Sequence, residues 1–274
     1  MTDLCATVLT LTPARAETLA AYQQGRAAHA LFLRLVGGAD PALAARLHED
    51  AQVKPFTCGS PWRASPPPNP LPAGGGAETW HLRYTTLTAE LTALWTEGVL
   101  PSLPDQVVLD EVPFTVQGAA STAEAHPAAG RATYAGLASS CMLDSAAAPS
   151  RWRFAFRSPT AFHSGGMTVP IPLPDLLFGS LLDRWNAGSP VALNPEVRRF
   201  ARECIAVSRY RLQTRPVGGK GGRVERGAVG GCTYVALNRD RYWCRTIGVL
   251  AAFATYGGAG YGTAQGMGTC AWVP

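Results

Sequence analysis

Apolar positions along this chain alternate in short runs and recur at helical spacing in longer ones. Residues 4–12 (Leu-Cys-Ala-Thr-Val-Leu-Thr-Leu-Thr) are β-branched and apolar and predict a first strand, broken by Pro13. Tyr22, Ala27, Ala30, Leu31, Leu33, Leu35 and Val36 then recur near a period of 3.6, which predicts a helix stopped by Gly37-Gly38. Asp40-Pro41 opens a short second helix to about Glu49, with aspartate as cap and proline at the first position. Strands are expected over Val53–Cys58 and Trp80–Leu87. A helix capped by Thr88 and carrying Leu91, Leu94 and Trp95 follows, then a strand over Val107–Val116 interrupted at Pro113. The order β-α-β-β-α-β in residues 1–118 is the ferredoxin-like arrangement.

Residues 64–77, with their prolines and glycines, predict an exposed loop, and residues 118–150, rich in Ala, Ser, Gly and Pro, a linker with some local structure. The pattern then repeats. Strands are expected at Trp152–Phe156, Ile205–Thr214 and Cys232–Leu237, and helical pieces at Pro174–Trp185, Asn194–Cys204 and Ile247–Ala254. A Gly- and Arg-rich loop over 217–231 and a terminal strand ending at Val273 complete it. The fold class is therefore α+β, with two tandem ferredoxin-like domains over residues 1–140 and 141–274. An RNA-recognition module shares this topology, but the aromatic signature of its central strands is missing, so loops and a basic groove carry any RNA contact.

Composition narrows the classes. Hydrophobic residues make up 47% and charged residues 16% of 274 positions, which supports packed cores. No apolar run of about 18 residues and no leader pattern are visible, so neither a membrane nor secretion is expected, and the expected location is cytoplasmic. Seven scattered cysteines without a C-x-x-C pair read as reduced thiols. No His/Asp/Glu cluster has metal-ligand spacing, so no metal and no cofactor are expected. The net charge of +5 divides unevenly. Residues 1–146 hold 8 Lys and Arg against 13 Asp and Glu, and residues 147–274 hold 16 against 6. A basic half beside an acidic one suits a polyanion on one face, although a solvated basic surface has the same composition.

Six glycines lie between positions 257 and 268, after a helix-like run and before the terminal strand. Glycine permits positive φ and close backbone approach, and such a loop can turn a row of N–H groups to phosphate oxygens. No Lys-Ser/Thr follows the glycines and the loop follows a helix, so it is no nucleotide-binding signature. Gly258, Gly260, Gly262, Gly266 and Gly268 are read as holding an RNA backbone. A phosphometabolite-binding enzyme is a remote alternative. Arg151, Arg153 and Arg157 share one face of a strand, where period-two alternation makes them solvated or phosphate-bound. Lys220, Arg223 and Arg226 lie in the 217–231 loop, which reads as an insertion at a stem-loop base or as a disordered tip.

Three blocks carry a family resemblance. Arg157-Ser158-Pro159-Thr160-Ala161-Phe162, Pro170-Ile171-Pro172-Leu173-Pro174 and Phe178-Gly179-Ser180-Leu181-Leu182-Asp183-Arg184-Trp185-Asn186 resemble the central block of the CRISPR repeat-processing endoribonucleases, within the repeat-associated (RAMP) superfamily. The run 257–268 resembles that superfamily's glycine-rich loop. Asp40-Pro41-Ala42-Leu43-Ala44, Leu47-His48-Glu49 and Lys54-Pro55-Phe56-Thr57-Cys58 resemble the family's N-terminal region. The resemblance implies metal-independent cleavage of precursor RNA within its repeats, leaving 2′,3′-cyclic phosphate and 5′-hydroxyl ends. CRISPR repeat RNA is the implied partner, with effector-complex subunits or a second copy as further partners. A catalytically silent RAMP subunit that only binds guide RNA is the alternative.

Such cleavage needs one group to accept a proton, one to donate a proton, and a cation beside phosphorus. His48 and Lys54, six residues apart across a helix-to-strand turn, fall where the resemblance implies a catalytic histidine and an assisting lysine. Their plainer readings are a histidine favoured by a helix C-terminus and a strand-edge charge. Some family members place a tyrosine on the preceding helix. Leu33 stands there, beside Phe32, and His29, one turn earlier, either substitutes or is a polar-face residue. His81, His126 and His163 lack such a context, although His163 follows the Ser-Pro-Thr block and could touch RNA.

Overall fold

The structure, a computed structural model, describes residues 2–15, 22–49, 53–64, 78–219 and 223–273. The first half runs β1 (Leu4–Pro13), α1 (Gly25–Ala39), α2 (Pro41–Glu49), β2 (Phe56–Cys58), β3 (Trp62–Arg63), β4 (Trp80–Thr86), α3 (Ala89–Ala93), β5 (Gln106–Leu109), β6 (Val112–Ala120), β7 (Gly130–Ala132) and α4 (Tyr134–Met142). The second runs β8 (Arg151–Thr160), β9 (Phe162–Ser164), β10 (Met167–Val169), α5 (Pro174–Gly188), α6 (Val197–Cys204), β11 (Ile205–Gly218), β12 (Val224–Ala236), α7 (Arg241–Gly257) and β13 (Cys270–Val273). The first sheet has the order β2-β4-β1-β6-β5 and the second β11-β12-β8-β13, all antiparallel. Each contains the ferredoxin-like order, last strand beside the first and second beside the third. The tandem fold expected from the sequence is the fold observed.

Four expectations change on inspection. The helix at Gly37-Gly38 does not stop there. It runs to Ala39 and yields to Asp40, whose Oδ1 accepts from Leu43 N at 2.9 Å and so caps α2. The single strand 107–116 is a hairpin, turned at Asp110 and Glu111 with φ of 50° and 70°, and Pro113 lies inside β6. Most of the expected loop over 217–231 is strand, since β11 and β12 pair from Ile205–Ala236 to Gly218–Val224, with one register shift between Val207 and Arg209. The linker over 118–150 holds the end of β6, all of β7 and α4. The expected boundary at 140 falls within α4, and the 64–77 loop lies outside the described residues beyond Ala64.

Two cores hold the halves. Under α1, Phe32 stacks on Phe56 at 4.4 Å and meets Trp95 at 4.9 Å, and Trp95 donates its indole N–H to Thr7 Oγ1 at 3.0 Å. The second core gathers Trp152, Phe154, Phe178, Trp185 and Phe253, and takes Tyr134 from α4. Tyr134 donates to Leu87 O at 2.9 Å, which joins that core to the first sheet's exit.

Arg245 on α7 is buried and donates to the carbonyls of Cys141, Met142, Asp144 and Ala146 at 3.1, 2.7, 2.5 and 2.9 Å. Its cation faces the negative end of α4 and satisfies carbonyls the helix leaves open. Arg245→Met keeps an unbranched stem but loses the guanidinium and strands those acceptors, so we expect it to lower the free energy of unfolding by about 2–4 kcal/mol. Guanidinium titration checks this, and an unchanged midpoint would mean that water replaces the arginine at no cost.

Candidate active site

A glycine-rich loop joins α7 to β13, and its backbone is bonded to both halves. Gly266 N donates to Cys58 O at 3.0 Å, and Gly59 and Gly266 form a parallel bridge. On the other side Gly268 N donates to Pro159 O at 3.0 Å, and Tyr261 N to Ala161 O at 3.0 Å. Gly260 is clamped from α5, where Ser180 Oγ accepts its N–H at 3.1 Å and Arg184 donates to its carbonyl at 2.9 Å. Those two side chains are one helical turn apart and share a face.

These bonds revise the expectation that the glycines present a row of N–H groups. The N–H groups of Gly258, Gly260, Gly266 and Gly268 bond within the fold. Among the described residues, those of Gly262, Thr263 and Ala264 have no such partner. The positive φ values of Gly262 (68°) and Gly266 (90°) flank the 3₁₀ turn Thr263–Gln265. The glycines mainly let backbones meet. A Cβ on Gly25, at the start of α1, would stand 2.1 Å from Gln265 O and 2.6 Å from Gly266 Cα.

That contact sets His29, one turn along α1 from Gly25. Its Nδ1 lies 3.0 Å from Ala264 O. A carbonyl only accepts, so Nδ1 carries the proton and Nε2 of the neutral ring keeps its lone pair. Burial lowers the His29 pKa below the usual 6.5, the bond to Ala264 O opposes this, and the nearby Lys54, His48 and Arg26 charges lower it further.

His48 is exposed in the last turn of α2. Lys54 Nζ donates to Leu47 O at 2.7 Å and His48 O at 3.3 Å, so the ammonium caps α2 and is tied to the backbone of His48. His48 does lie at a helix C-terminus, as its plainer reading has it, whereas Lys54 precedes β2 and serves that helix end instead of a strand edge. The two also line one cleft. His29, His48 and Lys54 share a space of about 820 Å³ with Arg184, Arg198, His163, Tyr261 and the Gly260–Gln265 backbone. Val217, Gly218, Gly219 and Glu225 of the β11–β12 hairpin also line it. Arg26 fastens that hairpin to α1 by donating to Gly219 O at 3.1 Å.

Arg151, Arg153 and Arg157 are exposed while Trp152, Phe154 and Phe156 are buried, so the three arginines share a face of β8 as expected. They are not among the residues lining the cleft. Arg223 and Arg226 are exposed on the hairpin, and Lys220 lies outside the described residues. His81 and His126 meet each other, at 4.8 Å between centroids, away from the cleft lining. Among the described residues no group of three or more His, Cys, Asp or Glu side chains is placed to hold a metal ion, and no helix is long and apolar enough to cross a membrane. Sequence reasoning missed Gly25, the Ser180–Arg184 clamp and Tyr261. A serine and an arginine four apart in the Phe178–Asn186 block were the available signal for the clamp.

The CRISPR-associated endoribonuclease Cas6 profile matches residues 154–270, and the CRISPR Cas6 N-terminal domain profile matches residues 5–66. No curated protein matches the sequence at a significant level. Among solved structures, a Cas6 product complex is similar at 31% identity and a TM-score of 0.80, over 98% of this chain and 100% of that one. Thermus thermophilus Cas6 is similar at 29% identity and a TM-score of 0.74, over 100% and 99%. A second Cas6 product complex reaches 25% identity and a TM-score of 0.78, over 99% of each. With both profiles in chain order and a likeness that spans the whole length, the chain belongs to the Cas6 family of CRISPR-associated endoribonucleases.

Proposed function

We propose that this chain cleaves CRISPR precursor RNA within its repeats without a metal ion, leaving 2′,3′-cyclic phosphate and 5′-hydroxyl ends. The observation that carries the reading is the meeting of His29, His48 and Lys54 with the glycine loop in one cleft. The 2′-oxygen attacks the adjacent phosphorus, the bond from phosphorus to the 5′ oxygen breaks, and two proton transfers balance the step. His29 is assigned the first transfer. Its lowered pKa keeps it neutral, and the Nδ1 bond to Ala264 O leaves Nε2 to accept the 2′ proton. His48 is assigned the proton that the 5′ oxygen takes up. Lys54 holds a positive charge beside it, suited to the charge that builds on the phosphoryl oxygens.

RNA approaches over basic surface. The Arg151, Arg153 and Arg157 face of β8 and the arginines of the β11–β12 hairpin are assigned phosphate contacts, and the open N–H groups of Gly262, Thr263 and Ala264 face phosphate oxygens in the cleft. Two of the similar Cas6 structures are product complexes, which supports repeat RNA as the ligand here.

Three outcomes follow. Cognate repeat RNA incubated in chelator should be cut, and His48→Ala or His29→Ala should each slow single-turnover cleavage by about 10²- to 10⁴-fold. Tight binding without cleavage by the wild type would instead identify a silent RNA-binding subunit. The acidic limb of the pH–rate profile should be centred below 6.5, because His29 must be neutral to accept a proton and its pKa is lowered. Lys54→Met should move that limb to higher pH by removing a neighbouring cation, and a limb centred above 6.5 in the wild type would take His29 out of the base role. Binding should weaken steeply with salt. Replacing Arg223 and Arg226 by alanine should flatten the log–log slope by about 0.7–0.9 for each phosphate that is no longer neutralised, and an unchanged slope would remove the hairpin from the interface.

A further inference from the structure

One wall of the cleft takes no part in the proton transfers. The hairpin β9–β10 turns on Gly165-Gly166, with φ of 57° and 76°, the left-handed pair that a two-residue turn requires. Phe162 is buried, so alternation throws His163 outward, opposite Thr168. The His163 ring lies flat on Tyr261, with centroids 4.1 Å apart and planes 17° apart. Tyr261 is held from two sides: its N–H donates to Ala161 O, and its hydroxyl donates to the Glu225 carboxylate on β12. Burial, then the Glu225 contact, push the Tyr261 pKa up to about 12, so the hydroxyl stays a donor.

Two features separate this pair from ordinary packing. His163 is exposed and lines the cleft, so one ring face rests on Tyr261 while the ring also opens to solvent. The acid behind Tyr261 is also out of place for a phosphate contact. Asp183, the other acid of the cleft, is engaged by Arg198 at 2.7 Å, whereas Glu225 has no ion pair among the described residues. A carboxylate is an acceptor that repels phosphate and leaves an uncharged base unaffected, and a flat ring pair offers a base a stacking surface.

We propose that His163 and Tyr261 form a stacking platform for one unpaired base beside the scissile phosphate, with Glu225 locking Tyr261 in place. This rests on the reading of the cleft as the site of RNA cleavage. It assigns base contact to this wall and leaves phosphate contact to the glycine loop and the arginines.

A coupling experiment decides it. The probe is the repeat RNA with 2′-deoxyribose at the scissile nucleotide, which removes the nucleophile, either intact or abasic at each of the two nucleotides on either side of that phosphate. Dissociation constants are measured at one salt concentration for wild type, His163→Ala and His163→Phe. Removing the stacked base should weaken wild-type binding by roughly 5- to 150-fold at one position. The same removal should matter little to His163→Ala, while His163→Phe should keep the wild-type penalty. If every base removal weakens His163→Ala as much as wild type, the platform is wrong. His163 is exposed, so the alanine variant should fold; a melting curve confirms it, and His163→Gln replaces it otherwise. Because the readout is binding of an uncleavable RNA, a wild type that binds but does not cut its all-ribose counterpart overturns the cleavage reading and still decides the platform. A wild type that binds none of these RNAs overturns both.

Discussion

The backbone contact between α1 and the glycine loop is the constraint on which the rest of the site depends. Gly25 and Gly266 approach so closely that a Cβ on either would lie 2.6 Å from the other's Cα. No side chain separates the two halves there. That approach brings Ala264 O within reach of His29 and lets Cys58 O accept from Gly266 N, so one strip of chain registers the first sheet, α1 and the second domain. Arg83 and Thr85 of β4 reinforce it from beneath, donating to Thr255 O and Tyr256 O at the end of α7. A cleft assembled from parts two hundred residues apart keeps its geometry because backbone atoms, which have no rotamers to sample, make the closest contacts.

The glycine run was legible as a feature, and its use was not. Positive φ and close approach serve equally to expose N–H groups to a ligand and to pack one chain segment against another, and sequence cannot separate the two. The same ambiguity hid β12. Gly227 and Gly230 looked like a loop, yet a Cβ on Gly230 would lie 2.1 Å from Arg211 O and one on Gly227 2.5 Å from Thr160 N. These are glycines in strands pressed against neighbours. Helix α4 was hidden for another reason. Its apolar stripe is short, Tyr134, Leu137, Ala138, Cys141 and Met142 over nine residues interspersed with Ala, Ser and Gly. Besides that stripe's packing on the second core, it is held by the Tyr134 hydroxyl at one end and Arg245, about a hundred residues later, at the other. By contrast, the β-α-β-β-α-β order in each half was readable because long apolar strands and one-sided helices repeat their periods locally.

Arginine counting also misled in part. The basic half suggested a surface for a polyanion, but Arg184 and Arg245 within it are used inside the fold, as is Arg83 from the acidic half. Each donates to backbone carbonyls. Burial pulls Arg83 and Arg184 down to about 10, well short of discharging them at neutral pH. Five donors in a planar fork let one guanidinium serve several carbonyls, which lysine's single ammonium does less well. In the proposed function, the phosphate contacts therefore fall to arginines that remain exposed, in the β8 row and the β11–β12 hairpin.

This division of labour bears on how the histidine pair can differ in role. His48 sits exposed at a helix end, where its imidazole is open to solvent. His29 is half-buried, stacked near Phe56 at 5.6 Å, and its Nδ1 proton is committed to a loop carbonyl. Two imidazoles with the same intrinsic chemistry are thus separated by environment, one orientated and biased toward the neutral form, the other open. The loop contributes by fixing which nitrogen of His29 carries a proton and where the other can point. In the cleavage reading, therefore, the glycine loop reaches the proton transfer through a single backbone carbonyl, that of Ala264, and its close packing against Gly25 makes that carbonyl available.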